Sequence, residues 1–248
     1  MRLVVYTAIV GDYDALQTPL AHPASVEFVC LADSPDRVRP GWTFRPLPNP
    51  ELSPASRNRW AKMHPHLLFP DHDASIYLDG NIAVIGDVVP LAETTLGHAP
   101  MGLYLHPVRD CLYDEAVECA RIGFDRSTVI RHQVRRYALE GFPKHYGLFE
   151  ANVIVRAHHE KPIIRAMERW WQEWEIGVKR DQLSLMYALW KEGVKPLSLG
   201  AHDARFGHRY FRYDPHRRPL GRPLARLFRQ IANRFDLLVF RGLAPRAD

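Results

Sequence analysis

Apolar runs of strand length alternate along the chain with stretches whose apolar residues recur every three to four positions. Leu3–Val10, Val26–Leu31, Ser75–Leu78, Met101–His106 and Val153–Val155 are predicted as strands. The first is apolar nearly throughout, as a central strand covered on both faces should be. Asn58–Leu68 is predicted as a helix. Ser127 is placed as the cap of another, whose stripe is Ile130, Val134, Tyr137 and Ala138 and which Gly141 and Pro143 end. Glu160–Ile176 carries Ile163, Ile164, Met167, Trp170, Trp171 and Trp174, a 3.6-residue stripe, and Asp181–Glu192 follows with Leu183, Met186, Tyr187 and Trp190. Such alternation predicts an α/β fold, a mixed and mostly parallel sheet flanked by helices. Ligands then bind at the carboxyl ends of the strands.

The segment from Asp203 to about Pro223, rich in His, Arg and Pro, is expected to be irregular. Beyond it Leu224, Leu227, Phe228, Ile231, Phe235 and Leu238 form an apolar stripe, with Arg222, Arg226, Arg229 and Arg234 largely off it. Two readings stand: a helix packed on the domain, or one lying in a membrane interface. Charge sharpens the boundary. Residues 205–248 hold 11 of the 33 Lys+Arg and only 3 of the 28 Asp+Glu, a balance of +8 against −3 for the other 204 residues. A domain over 1–208 and a basic, partly helical tail over 209–248 are therefore expected. The tail is suited to an anionic surface.

With 248 residues, 46% hydrophobic and 25% charged, the chain reads as one globular domain. No stretch approaches the roughly 20 apolar residues of a membrane span. The opening Met1-Arg2 and LVVYTAIV resemble a short signal core, but Gly11-Asp12-Tyr13-Asp14 follows at once, so a buried first strand is expected. Cys30, Cys111 and Cys119 form no C-x-x-C pair, which argues against a zinc site and fits reduced thiols in a cytoplasmic protein.

The chemistry concentrates in Ser75-Ile76-Tyr77-Leu78-Asp79-Gly80-Asn81-Ile82, where an apolar strand runs into an acid, a glycine and an amide. In extended chain Asp79 and Asn81 point to one side, and Gly80 lets a ligand approach the backbone. Oxygens so placed suit a hard divalent cation carrying a diphosphate, or simply an Asx turn. The literal D-x-D at Asp71-His72-Asp73 precedes the same strand, so it reads as a solvated turn at the wrong edge. Tyr13 is expected to stack on a base. Asp12, Asp14 or Asp33 would accept ribose hydroxyls, and Arg59 or Lys62 would touch phosphate. Asp181 at a helix start suits a plain cap, a general base toward an acceptor hydroxyl, or a residue that stabilises an oxocarbenium-like centre. Glu150 and Asn152 share a side and suit sugar hydroxyls. His202 or His208 would return as a third metal ligand.

Seven stretches, in order over roughly 4–208, resemble the glycosyltransferase-like family first described as domain of unknown function 616, whose plant members are linked to cell-wall mucilage. They are YTAIVGDYD (6–14), FVCLAD (28–33), the R-x-x-K-x-x-P-H segment from Arg59 to His66, FPDHDASIYLDGNI (69–82), HPVRDCLYDEA (106–116), EGFPKHYGLFEANVIVRAH (140–158) and RDQLSLMYALW (180–190). The resemblance implies a GT-A fold with a nucleotide-diphosphate-sugar donor at the first strands. Thr7, Ala8, Gly11, Tyr13, Asp33, Arg59, Lys62, Asp79 and Gly80 would then form the donor site. It implies a D-x-D-like motif on Asp79 and Asn81 for a Mn2+ or Mg2+ ion, though the second acid is here an amide; His202 is the expected third ligand of that site. It also maps the catalytic carboxylate region onto Asp181 and Gln182. His106, Arg109, Glu150 and Asn152 would meet a saccharide or lipid-linked acceptor, in surface polysaccharide or glycoconjugate synthesis.

The expected partners are these substrates and, through the tail, the inner membrane face. No nucleic acid is expected. A catalytically inactive sugar- or nucleotide-binding protein on the same fold is the alternative, motivated by Asn81. A nucleotidyltransferase would show a Gly-rich basic loop after the first strand, where this chain has GDYD. A hydrolase lacks its G-x-S-x-G or H-E-x-x-H signature.

Overall fold

The structure is a computed structural model that describes residues 1–11, 13–34, 38–214 and 223–240, with the side chains of the last helix described over 225–234. The first elements are β1 (Leu3–Ile9), β2 (Val26–Ala32), β3 (Thr43–Pro46), α1 (Pro54–Met63), α2 (Pro65–Leu68) and β4 (Ala74–Leu78). Next come β5 (Ile82–Val84), α3 (Val89–Leu96), β6 (Met101–Leu105), α4 (Leu112–Arg121), α5 (Ser127–Leu139) and β7 (Phe149–Arg156). The last are α6 (Lys161–Ile176), α7 (Gln182–Lys191), β8 (Leu197–Ser198), α8 (Asp203–Phe206), β9 (Phe211–Tyr213) and α9 (Pro223–Phe240).

Seven strands form one sheet in the order β3-β2-β1-β4-β7-β6-β8, and β7 alone runs antiparallel to its neighbours. This is the expected mixed, mostly parallel sheet with flanking helices. β1 explains itself from sequence. Val4, Tyr6 and Ala8 enter one core cluster and Leu3, Val5 and Ile9 the other, so both faces are covered. The first cluster joins the sheet to α4, α5, α6 and α7, with Trp170 and Met167 of the α6 stripe fully buried. The second lies under α3, β5 and β9.

Four expectations are corrected. The helix predicted over Asn58–Leu68 is two helices. His64 leaves helical geometry at φ −121°, ψ +48° because it precedes Pro65, which disfavours a helical residue before it. Ser127 is not a cap: Arg126 precedes α5 without a side-chain bond, and the Ser127 N–H donates to Asn233 Oδ1 of α9 at 2.9 Å. The described part of the segment after Asp203, to residue 214, is not irregular, since it folds into α8 and β9; residues 215–222 of that expectation lie outside the described residues. β9 pairs with β5, so residues 209–213 belong to the domain rather than to a tail.

The fourth correction concerns α9. It packs on the domain, but not through its apolar stripe. Arg226, Arg229, Gln230 and Asn233 bond to carbonyls at the end of α4, while Leu227, Phe228 and Ile231 are exposed. No helix among the described residues is long and apolar enough to cross a membrane.

Candidate functional site

The carboxyl ends of β1, β2 and β4 lie side by side, because these strands are parallel neighbours. Beyond β4 the chain does not stay extended. Ile82 N–H donates to Asp79 O at 2.9 Å, which closes a tight turn, and Asp79 N–H donates to Asn152 O at 2.9 Å. The expected common direction of Asp79 and Asn81 is therefore lost, since two-residue alternation holds only in extended chain. Asp79 faces Lys62, whereas the Asn81 amide donates to Asp214 O at 3.3 Å. Gly80 admits a neighbour rather than a ligand: a Cβ there would lie 2.8 Å from Asp14 Oδ2 and 3.2 Å from Ile9 Cγ1.

Two cations approach Asp79 from α1. Arg59 and Lys62 are three residues apart and share a helix face. Lys62 is 1% exposed; its Nζ donates to Asp181 Oδ2 at 2.7 Å and to Asp79 Oδ1 at 3.3 Å. Its ammonium lies 4.9 Å from the Tyr77 ring and 5.8 Å from the Trp170 ring. Arg59 Nε lies 3.1 Å from Asp181 Oδ2, with the guanidinium 5.6 Å from the Trp174 ring. The tryptophans of the α6 stripe thus form an aromatic wall against both cations, which favours positive charge.

Asp181 caps α7 as expected, its side chain accepting the Gln182 N–H at 3.1 Å. Trp170 Nε1 donates to its carbonyl at 2.9 Å and fixes it further. Burial pushes its carboxyl upward, but Arg59, Lys62 and Arg180 outweigh burial and hold it well below the usual carboxylate range. A carboxylate so neutralised is a weak proton acceptor, so the base role expected for Asp181 does not suit this geometry. Gln182 is also engaged, accepting from Arg180 at 2.9 Å and donating to Phe149 O at 3.3 Å.

The charges continue toward β6. Glu115, 1% exposed, accepts from Arg109 Nε at 2.7 Å and from Arg180 at 3.2 Å. His106 lies 3.8 Å from the same carboxylate, and its Nδ1 accepts the Arg109 N–H at 3.0 Å. Burial lowers the His106 pKa. Glu150 and Asn152 do share a side, but both are occupied. Glu150 is held by Arg205 at 2.7 and 3.2 Å, and Asn152 bonds His202 and Tyr213.

The metal set expected on Asp79, Asn81 and His202 does not assemble. His202 is fully buried, and burial lowers its pKa to about 4, so the ring is neutral at pH 7. Its Nδ1 accepts the Ala204 N–H at 3.2 Å, which puts the proton on Nε2, where it donates to Asn152 Oδ1 at 2.7 Å. Neither ring nitrogen keeps a free lone pair for a cation. Among the described residues no group of three His, Cys, Asp or Glu is arranged to hold a metal ion. The donors present do not fit a divalent site. His208, the other candidate, is exposed.

On the donor side, Gly11 has φ +62° and its N–H donates to Asp33 Oδ2 at 2.8 Å, so Asp33 ties the loops after β1 and β2 together. Tyr13 stands close enough to Asp14, Arg59 and Asp79 for their charges to act on its hydroxyl, which burial already raises. Asp12 lies outside the described residues. Thr7 and Ala8 are corrected: each is buried, and the Ala8 carbonyl accepts the Asn58 amide at 2.5 Å, so neither is open to a donor. Asp71 and Asp73 are exposed at the opposite edge, as expected for a solvated turn. A groove of about 550 Å³ lies at that edge too, lined by Arg2, His22, Glu27, Trp42 and His72, and shares no residue with the charged network.

Glu115, Arg180 and Arg205 were not among the expected site residues. Glu115 and Arg180 sit inside the quoted motifs, so the stretches carried a signal that single-residue spacing did not.

A family model described as TOD1/MUCI70, glycosyltransferase-like domain, matches residues 49–199, a narrower span than the seven stretches. No curated protein matches the chain. Among solved structures, the galactosyltransferase LgtC in complex with donor and acceptor sugar analogues is similar at 16% identity and a TM-score of 0.44, over 75% of this chain and 70% of that one. Mouse xyloside xylosyltransferase 1, in its apo form, is similar at 12% identity and a TM-score of 0.47, over 80% and 84%.

Proposed function

The chain belongs to the TOD1/MUCI70 glycosyltransferase-like domain family, and from that premise we propose that it moves a sugar from a nucleotide-diphosphate sugar to a saccharide or lipid-linked acceptor. The observation that carries the reading is the convergence of Arg59 and Lys62 with Asp79 and Asp181 at the carboxyl ends of parallel strands. A donor diphosphate is a compact anion. The two cations, held against tryptophan rings and fixed by Asp181, offer it charge-assisted hydrogen bonds. Those bonds strengthen as charge builds on the departing nucleotide diphosphate, which makes them catalytic rather than merely adhesive.

Asp181 is in this reading the anchor that aims the cations. Asp79 moves aside from Lys62 as the diphosphate arrives and turns to the donor sugar. Tyr13 and Asp33 border the nucleoside end, on the β1 and β2 side. Arg109, His106 and Glu115 border the acceptor end. Positive charge comes from Arg59 and Lys62, where the sequence suggested a Mn2+ or Mg2+ ion.

The test is release of nucleotide diphosphate from a panel of donors, with mixed saccharide acceptors, in manganese and in chelator. Wild type should turn over at least one donor, and Asp79→Ala should abolish turnover without unfolding. Full activity in that variant would end the assignment.

A second reading is a binder without turnover. It is favoured by the internal pairing of Asp181, which leaves the charged network without a strong proton acceptor there. It predicts that nucleotide diphosphates raise the melting temperature while no donor is consumed.

A further inference from the structure

Helix α9 is docked with its polar face inward. Asn233, 3% exposed, accepts the Ser127 N–H and donates to Ala120 O at 2.9 Å and to Asp125 O at 2.8 Å. Arg226 and Gln230 donate to Ile122 O, and Arg229 donates to Gly123 O, each at 3.0 Å. The contact is close. Gly123 has φ +65°, and a Cβ there would stand 2.5 Å from Arg226 O. These bonds satisfy the free carbonyls at the end of α4, which is why polar side chains face the domain. The consequence is on the other side. Leu227, Phe228 and Ile231 are 51%, 70% and 49% exposed, although a surface helix ordinarily buries such residues.

We propose that this outward face of α9 lies in the headgroup region of an anionic membrane. Charge selects the occupant. Residues 205–248 carry 11 arginines and 3 aspartates, and Arg234 is exposed on α9 itself. Large apolar side chains on one face of a helix, within an arginine-rich segment, are the signature of an interfacial helix. A second copy is the poorer occupant. A two-fold pairing sets the same patch against itself, and so sets like charge against like charge. The attachment also has a place relative to the charged network. α9 grips one end of α4, and the acceptor-edge segment from His106 to Arg109 leads into the other end. α4 spans ten residues, about 15 Å.

The test uses full-length protein and sedimenting vesicles of phosphatidylcholine, with and without about one third phosphatidylglycerol. Wild type should partition onto the anionic vesicles and much less onto the neutral ones. The combined variant Leu227→Ser, Phe228→Ser, Ile231→Ser should lose at least about tenfold of that partitioning. All three side chains are exposed, so its melting temperature should match wild type. Equal partitioning of the variant would mean that charge alone binds, and would overturn the proposal. So would a wild-type protein that ignores both vesicles, or one that is a dimer which the variant separates. The result does not depend on how the charged network is read.

Discussion

Lys62→Met removes one buried ammonium and keeps the length of the side chain. Its Nζ lies 2.7 Å from Asp181 and 3.3 Å from Asp79. Loss of one member of a buried pair ordinarily costs about 3–5 kcal/mol, because the partner charge is left uncompensated. Here the cost is smaller. Arg59 stays 3.1 Å from Asp181, and the Asp79 side chain is 31% exposed and regains water. The expected loss of stability is therefore about 2–3 kcal/mol. In the proposed function the same ammonium is one of two cations offered to a diphosphate. Losing one charge-assisted hydrogen bond should weaken a nucleoside diphosphate by about 1.5–3 kcal/mol, roughly 10- to 100-fold in Kd. Urea unfolding followed by circular dichroism reads the first quantity, and isothermal titration calorimetry reads the second. A variant as stable as wild type that binds the diphosphate equally well would refute the reasoning. A variant that is destabilised but binds normally would leave Lys62 as a structural ion only.

Asp181→Asn tests the anchor through pH. The Asp181 carboxyl is held below its ordinary range, so its stabilisation is complete above the unfolded value near pH 4 and is lost as pH falls further. The variant should be about 3 kcal/mol less stable at pH 7, with the gap narrowing below about pH 4 in urea titrations; a gap independent of pH would contradict the pairing. Glu115→Gln keeps shape but faces Arg109 and Arg180 without charge, and should cost about 2 kcal/mol by the same assay. Asn233→Ala removes three of the bonds that fasten α9 to α4, α5 and the loop between them, leaving those of Arg226, Arg229 and Gln230. It should cost about 2–3 kcal/mol and raise hydrogen exchange in α9, and unchanged exchange there would show that α9 is held by something else.

Long buried elements were legible because their periodicity is set by burial on known faces. β1, β2, β4, α6 and α7 were read within a residue or two. β3, β5 and β9 were not, since three or four residues carry no period and their pairing is decided by distant partners. α4 was missed because its buried face is built partly of small residues, Ala116, Cys119 and Ala120. At the site, the R-x-x-K spacing and the Asp181 cap were visible. That both α1 cations close on Asp181 was not, for Lys62 and Asp181 are 119 residues apart. The metal expectation failed for a local reason. It needed extended backbone at Asp79, and the chain turns there instead. Of the α9 stripe, Leu227, Phe228 and Ile231 share a face, while the side chains of Leu224, Phe235 and Leu238 lie outside the described residues; the direction of that face depended on carbonyls at the end of α4 that no stripe reveals.

In the proposed function Arg59 and Lys62 form a diphosphate receptor at the carboxyl ends of β1 and β4. Calorimetric titration of wild-type protein with a matched nucleoside mono- and diphosphate, in the presence of chelator, addresses it directly. The account predicts that the diphosphate binds at least about tenfold more tightly, the worth of one charge-assisted hydrogen bond. Equal affinity for the two nucleotides, or binding of the diphosphate only when manganese is restored, would contradict it.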